Sequence, residues 1–422
     1  MPSIRQPKSP KNSRAEPSVG FSRTLHLVRR ANLQPASKSA TDFPSGDFPL
    51  LLESCSFPRD SARIAALAAE VRSYNSLLRL AEKHGVVAHL AAALAAVSET
   101  VIPIPLSDAL RERLRLQSLF TLAMSAELFR ILELLRGAGL ECVVVKGPVL
   151  SLRAYGNPAA RRYADLDLLV RHADIPHAMG ILVAAGYESR VPVQAIRAGK
   201  IPGEYFFRRP ETNIIFELHS ERTFRYFPLP LPIERYFKHQ AVLLIDGHTV
   251  PSLSLEDEIV LLCVHGAKHF WERLIWVSDV AAMVHNHPEL DWKLIRKSAA
   301  EVGGARMLRV ALLLCDRLLR VRVPSKMQAD DGNDPACSRL VAQIESWLPY
   351  AGDATPPVAQ RALFRFLIGG SAFAGARYLV RLSFSTTEED WSREQVAGPV
   401  SQLAEVLRRP FRLARKYRRP ES

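Results

Sequence analysis

The sequence of 422 residues has few cysteines, no long apolar run and little net charge outside its two ends. Its five cysteines are odd in number, scattered and without a metal-ligand spacing, so we expect buried, reduced thiols in a cytoplasmic protein. No apolar run reaches the roughly 18–20 residues that cross a bilayer, and the N-terminus lacks the apolar core of a secretion signal. These absences argue against disulfide-stabilised secreted proteins and membrane-spanning proteins.

The net charge of +13 is concentrated at the ends of the chain. Residues 1–45 hold eight Lys/Arg against two Asp/Glu, and residues 407–422 hold seven against one, so about +1 remains for the middle. A protein that grips polynucleotide more often has a basic face on the fold itself, so we do not expect a nucleic-acid partner. The C-terminal basic helix could contact an anionic membrane surface or an acidic partner, with a solvated helix end as the default.

The spacing of apolar residues divides the chain into segments of different type. We predict a disordered basic tail at 1–45, an N-terminal helical region at 46–137, a sheet domain at 138–252, a C-terminal helical domain at 253–400 and a basic C-terminal helix or tail at 401–422. Ser107 is expected to cap a long helix, and residues 357–382 are expected to form helix. The predicted fold class is α+β, with a sheet flanked by helical regions.

Two carboxylates mark the centre of the predicted sheet. Asp165 and Asp167 lie on a predicted strand, 164–170, that follows the apolar strand at 141–146. Side chains two residues apart on a strand share a face, so both carboxylates can converge on one cation. Two acid groups held that close repel each other, and a hard divalent ion removes the repulsion. The sequence therefore predicts a metal site on this strand.

The surrounding motifs resemble those of a known family. The Lys146-Gly147 turn, the run Arg161–Val170 and the strand ending in Phe216–His219 are together similar to the uncharacterised bacterial nucleotidyltransferase family of the polymerase-β-like superfamily. Members of that family are often encoded beside peptide-modification genes such as lasso-peptide clusters. The likeness extends to helical segments on both sides, over roughly residues 50–415. One departure is that the superfamily's Gly-Ser turn, which holds the triphosphate, is here Lys146-Gly147-Pro148.

The resemblance implies a polymerase-β-like mixed sheet and transfer of a nucleoside monophosphate from a triphosphate such as ATP. The acceptor would be a hydroxyl or phosphate on a small molecule, peptide or protein. Carried over by position, Asp165, Asp167 and Glu217 become the catalytic residues and metal ligands. They would hold two Mg²⁺ ions, with Mn²⁺ as an alternative, which shield the phosphates and activate the acceptor.

Six further residues are predicted to bind the nucleotide: Lys146, Gly147, Arg161, His219, His265 and Lys268. Each has a simpler explanation that the sequence leaves open. The lysine could be solvated or pair with Asp165, the arginine could form a structural salt bridge, and the histidine at 219 could be a neighbour of the metal ligands, a general base or a residue without a role. Because the histidine at 265 has no acidic or cysteine partner near it, we do not expect zinc there.

A hypothesis of another class is a catalytically inactive relative that uses the same cleft to bind a peptide or partner protein. A third, an RNA-modifying transferase, would depend on the two basic ends. Asp279 and Trp276 are expected to serve in packing and capping.

Overall fold

A computed structural model describes residues 47–97, 102–189, 191, 205–220, 227–323, 334–351, 356–384 and 412. The predicted tail at 1–45, and all of the predicted C-terminal segment at 401–422 except Arg412, lie outside the described residues. Within the described part of the chain, fifteen α-helices surround a mixed sheet of seven strands. The fold class is therefore α+β, as predicted.

Helices precede the sheet and follow it in the sequence. The first five are Asp47–Cys55 (α1), Ser61–Ala69 (α2), Tyr74–His84 (α3), Val87–Ala95 (α4) and Ile104–Gly137 (α5). Three lie among the strands: Gly147–Tyr155 (α6), Ile175–Ala184 (α7) and Ile233–Lys238 (α8). The last seven are Leu255–Lys268 (α9), Leu274–Asn286 (α10), Trp292–Glu301 (α11), Ala305–Leu319 (α12), Pro335–Trp347 (α13), Val358–Ile368 (α14) and Ala372–Phe384 (α15).

The sheet combines parallel and antiparallel pairs. Its strands are Val143–Val145 (β1), Leu166–Leu169 (β2), Glu188–Ser189 (β3), Tyr205–Arg208 (β4), Ile215–His219 (β5), Ala241–Ile245 (β6) and His248–Ser252 (β7). Their spatial order is β3-β4-β5-β2-β1-β7-β6. β2 pairs parallel with β5 and antiparallel with β1, and β1 pairs parallel with β7. The central strands β1, β2 and β5 are thus the ones that carry the predicted acidic residues and the lysine turn.

Local sequence signals explain most element boundaries. The side chain of Asp60 accepts a hydrogen bond from the backbone N–H of Arg63 and caps α2, and Ser254 caps α9 through the N–H of Asp257. Asp246 and Gly247, both with positive φ, form the hairpin turn between β6 and β7.

Two predicted helix boundaries were wrong. The long helix α5 begins at Ile104, after Pro103, rather than at Ser107, because the following Pro105 fits the first turn of a helix, where no N–H is needed. Residues 357–382 form two helices instead of one. The break falls at Gly369 and Gly370, and Gly370 adopts a φ of 105°, which side chains rarely tolerate.

One apolar core joins the helices before and after the sheet. Leu77 of α3, Val143 of β1, Leu262 of α9 and Val280 of α10 belong to the same buried cluster. All five cysteines are buried and unpaired, as predicted. Among the described residues, no helix is both long enough and apolar enough to span a bilayer. This core fixes α9 and α10 against the sheet, where they border the site.

Candidate active site

Strand register places the two central carboxylates beside each other. Asp167 of β2 is paired with Glu217 of β5 in the parallel ladder, and with Val145 of β1 on its other side. Residues paired across a ladder project from the same face of the sheet, so the carboxyl groups of Asp167 and Glu217 are direct neighbours. His219 lies two residues after Glu217 on β5 and shares that face.

Each carboxylate oxygen of Asp167 contacts one basic side chain. Its Oδ2 lies 2.8 Å from Nζ of Lys146, and its Oδ1 lies 2.8 Å from Nε2 of His219. The same histidine nitrogen is 3.5 Å from Oε2 of Glu217. Asp167 and His219 are buried, whereas the Glu217 side chain is 26% exposed. The group is therefore largely shielded from water but remains open on the side of Glu217.

The structure brings together Asp167, Glu217 and His219, each offering one ligand atom within 4.8 Å of the others. Asp165, the fourth residue of interest, precedes β2, is half-buried and is not part of this group. Two of the three predicted metal ligands are thus adjacent, and the third donor of the group is the histidine that we had predicted to bind the nucleotide.

The pKa values of Asp165 and Asp167 are shifted in opposite directions. Burial alone would raise the pKa of Asp167, but the positive charge of Lys146 and the hydrogen bond from His219 hold the pKa of that carboxyl well below its usual range. Burial, followed by repulsion from Asp167, raises the pKa of Asp165 above its usual value. Burial would lower the pKa of Lys146, yet the charges of Asp167 and Asp165 hold it above the usual lysine value. At neutral pH, Lys146 and Asp167 therefore form a charged pair.

The backbone at Lys146 has an unusual conformation. Its φ of 62° and ψ of −138° lie in a region that residues with a side chain rarely adopt, and it directly precedes α6. The turn brings the Lys146 side chain to Asp167, while the N–H groups of Gly147 and Val149, on either side of Pro148, which has none, belong to the first turn of α6 at the same strand end. Backbone N–H groups at a helix N-terminus favour anions such as phosphate.

Arg161 is held by a buried acid on a distant helix. Its Nε lies 2.8 Å from Oδ2 of Asp279 in α10, and the hydroxyl of Tyr155 donates to Oδ1 of the same carboxylate at 2.9 Å. Arg161 and Asp279 are 6% and 1% exposed. Arg161 therefore forms a structural salt bridge, which is one of the two roles that the sequence leaves open for it. The guanidinium nevertheless contributes to the positive field at Asp165.

The end of α9 contributes neutral imidazoles near Lys146. Burial, then the positive charge of Lys146, lowers the pKa of His265 well below its usual value. Burial and the charge of Lys268 lower the pKa of His269 to about 3. The rings of these two histidines lie 4.7 Å apart, and His269 stacks on Trp276 at 4.9 Å. Trp276 therefore packs as expected, against a face of α9 that is within electrostatic reach of the lysine.

The donor set fits a divalent cation. Two carboxylates and one imidazole converge, they are mostly buried, and the exposed edge of Glu217 gives an ion a path from solvent. Carboxylate oxygens are good ligands for both Mg²⁺ and Mn²⁺, and an imidazole nitrogen is also a suitable ligand for Mn²⁺. A cation held by this acidic pair, together with Lys146 and the N-terminus of α6, can neutralise phosphate charge.

The sequence predicts His219 as a nucleotide-binding residue and leaves open that it neighbours the metal ligands, and the structure places it within the acidic group itself. The role of Asp279 as the partner of Arg161 was not foreseen, because the two residues are 118 positions apart and only the packing of α10 brings them together. The one available signal was an acidic residue within an otherwise apolar helical stretch.

A separate cavity of about 580 Å³ lies between α11 and α12. Leu308 and Leu312 form part of its apolar wall, and Arg296, Arg309 and Asp316 supply charged groups. None of its lining residues belongs to the acidic group on the sheet, so strand register rather than cavity size identifies the candidate site.

Comparison with known proteins gives a family match and similar solved structures. A family described as uncharacterised nucleotidyltransferase matches residues 72–320, more than half of the chain. A solved structure of an antigenic nucleotidyltransferase-like protein from Paracoccidioides brasiliensis is 15% identical, with a TM-score of 0.29, and covers 49% of this chain and 93% of its own. No curated protein matches the chain.

Proposed function

The chain belongs to the uncharacterised nucleotidyltransferase family, and from this premise we propose that it transfers a nucleoside monophosphate from a nucleoside triphosphate to a hydroxyl or phosphate acceptor, with Mg²⁺. The acceptor would be a small molecule, a peptide or a protein. The observation that carries the proposal is the register of Asp167 with Glu217 on adjacent central strands, with Lys146 in contact with Asp167.

In this proposal the acidic residues Asp165, Asp167 and Glu217 hold Mg²⁺, which would shield phosphate charge and make the acceptor oxygen a better nucleophile. The carboxylate of Asp167 stays ionised at neutral pH because Lys146 and His219 lower its pKa. Asp165, whose pKa is raised, gains most from a nearby cation.

Lys146 and the start of α6 are proposed to hold the triphosphate. The raised pKa of Lys146 keeps its ammonium charged, and the N–H groups of Gly147 and Val149 supply fixed donors. Such donors stabilise charge that develops on phosphate oxygens without reorganising during the reaction. The unusual backbone at Lys146 is then the means by which one residue faces both Asp167 and the phosphates.

Helix α9 is proposed to border the nucleotide on the other side. Lys268 would add a second cation for the phosphates, and His265, which is neutral at physiological pH, could accept or donate one hydrogen bond to the nucleotide. Arg161 would act from its salt bridge with Asp279 by adding positive potential rather than by moving to the substrate.

Nucleotide binding and transfer can be measured separately. Isothermal titration of the full chain with ATP, GTP, CTP and UTP, each with Mg²⁺, should reveal binding of at least one of them. With the α-phosphate labelled, the protein and a source of acceptors should yield a labelled product and pyrophosphate. Asp167→Asn and Glu217→Gln should lower transfer by at least about 100-fold, as expected when groups that stabilise transition-state charge are removed.

The matched control is Glu188→Gln, which removes an exposed strand glutamate at the sheet edge and should leave transfer unchanged. Failure of every nucleotide to bind would overturn the proposal. Binding without transfer would instead favour an inactive relative that holds a peptide or partner in the same cleft. If that alternative holds, cells that carry the double variant Asp165→Ala, Asp167→Ala should show the same phenotype as cells with the native protein.

A further inference from the structure

The two oxygens of Asp167 point to different partners. Oδ2 contacts Nζ of Lys146 at 2.8 Å, and Oδ1 contacts Nε2 of His219 at 2.8 Å. An ion that enters between Oδ1 and Nε2 would displace to solvent the proton that His219 donates there, and would leave the pair between Lys146 and Asp167 intact. The lysine would remain available for phosphate charge while the opposite edge of the carboxylate bound a cation.

The donor atoms around His219 are spaced much like neighbouring ligands on an octahedral ion. Neighbouring ligands around an ion with bond lengths of about 2.1–2.2 Å lie about 3 Å apart. Nε2 of His219 lies 2.8 Å from the Asp167 oxygen and 3.5 Å from Oε2 of Glu217, and the three donors all lie within 4.8 Å of one another. The side chain of Glu217, which is 26% exposed, is the least enclosed of the three.

We propose that His219 is a direct metal ligand through Nε2, together with Asp167 and Glu217, and that the site consequently selects Mn²⁺ over Mg²⁺. This inference rests on the proposed function for the role of the ion. Mg²⁺ prefers a shell made of oxygen atoms, whereas imidazole nitrogen is a good ligand for first-row transition ions. A donor set with one buried imidazole and two carboxylates is therefore better suited to Mn²⁺.

The competing explanation is that His219 only donates a hydrogen bond to Asp167 and never touches the ion. The two explanations differ in one spectroscopic property. A nitrogen bound directly to Mn²⁺ produces a hyperfine coupling in pulsed electron paramagnetic resonance, and a hydrogen-bonded neighbour does not produce a coupling of that size. The native protein is sufficient for this measurement, so the result does not depend on the folding of a variant.

The experiment uses the full chain with Mn²⁺ alone and no nucleotide. We expect one bound Mn²⁺ with a directly coordinated nitrogen, whose coupling changes when the protein is made with ¹⁵N-labelled histidine. Competition with Mg²⁺ should give a preference for Mn²⁺ on the order of tenfold or more. His219→Gln should remove the coupling and weaken Mn²⁺ binding by about 100-fold or more.

His177→Gln is the matched control, because His177 is an exposed histidine on α7, and it should change neither property. Absence of Mn²⁺ binding, bound Mn²⁺ without nitrogen coupling, or equal affinity for Mg²⁺ would each overturn the inference. Nucleotide transfer by a protein whose Mn²⁺ shows no nitrogen coupling would leave the proposed function standing. Nitrogen-bound Mn²⁺ in a protein that binds no nucleotide would support His219 as a metal ligand and would overturn the proposed function.

Discussion

At the scale of single residues, Lys146 combines a strained backbone conformation with an ion pair to Asp167. Its positive φ places the side chain on Asp167, and a conformation of this kind costs about 1–3 kcal/mol when the residue has a Cβ. Strain of this size persists only where surrounding contacts impose it. Here the contacts are the buried ion pair and the start of α6.

Comparing Lys146→Gly with Lys146→Ala isolates the backbone contribution. Both changes remove the ion pair, but glycine tolerates the backbone conformation, so the glycine variant should have the larger free energy of unfolding, by about 1–2 kcal/mol. Urea unfolding followed by circular dichroism measures the difference. At the exposed helical residue Arg79 the same pair of substitutions should reverse the order, because glycine costs about 1 kcal/mol within a helix. Equal stability of the two Lys146 variants would contradict the strain argument.

Which residues share a face could be predicted from sequence, but which atoms touch could not. Alternation along a strand placed Asp165 with Asp167 and Glu217 with His219. The partner of Lys146 was left open between solvent and Asp165, and the structure pairs it with Asp167. That choice depends on the pairing of Val145 with Asp167 across β1 and β2, which is a long-range contact.

At the scale of elements, the end of α9 depends on a close approach between a helix and an aromatic ring. A Cβ added at Gly266 would overlap the indole of Trp271, which is completely buried. The short chain reversal after α9 thereby packs Trp271 back under the helix. This packing fixes the C-terminal end of α9, where the positive charge of Lys146 acts on His265 and His269.

Gly266→Ala should therefore lower the free energy of unfolding by about 2–3 kcal/mol, since a buried ring has to move. Gly180→Ala is the matched control: Gly180 is exposed in helix α7, and its added Cβ meets no atom within 4 Å. That change should raise stability by about 0.5–1 kcal/mol, because alanine favours helix. Chemical denaturation of both variants provides the test, and a neutral effect of Gly266→Ala would refute the packing argument.

Some element boundaries carry a strong local signal and others do not. Gly85 ends α3 in the left-handed conformation that glycine favours, and the side chain of Ser254 caps the start of α9. The start of α5 and the break between α14 and α15 were missed. In the first case a proline in the first turn outweighed a serine cap. In the second, apolar periodicity continued through two glycines whose conformation ends the helix.

At the scale of the whole molecule, buried histidines couple stability to pH. Burial lowers the pKa of His84 to about 4 and of His89 and His269 to about 3, and it lowers the pKa of His265 well below the usual value. Nearby positive charges, such as Arg59 and Arg161 beside His89, act in the same direction. Within the part of the chain that the structure describes, neither ring nitrogen of His89 has a hydrogen-bond partner.

The sign of the effect follows from the lowered values. In the unfolded chain these four histidines take up protons near the ordinary histidine pKa of about 6.5, whereas in the folded chain they do so only at lower pH. The free energy of unfolding that they contribute is therefore fully present above pH 6.5 and decreases as the pH falls below it. Below that pH, each such histidine lowers the free energy of unfolding by about 1.4 kcal/mol for every unit by which the pH falls. The melting temperature should therefore fall between pH 7 and pH 5.

His89→Phe should reduce this pH dependence and retain the edge contact with Tyr155, whereas the exposed His177→Gln should not alter it. Calorimetric melting at several pH values tests both variants. A melting temperature that stays constant from pH 7 to pH 5 would show that these histidines are protonated in the folded protein.

The most direct test of the central claim is a crystal structure of the protein with Mn²⁺ or Mg²⁺ and a non-hydrolysable nucleoside triphosphate. The account predicts a metal ion about 2.1–2.2 Å from carboxylate oxygens of Asp167 and Glu217, with the triphosphate next to Lys146 and the start of α6. A nucleotide bound elsewhere, or an acidic pair that binds no metal in the presence of the analogue, would contradict it.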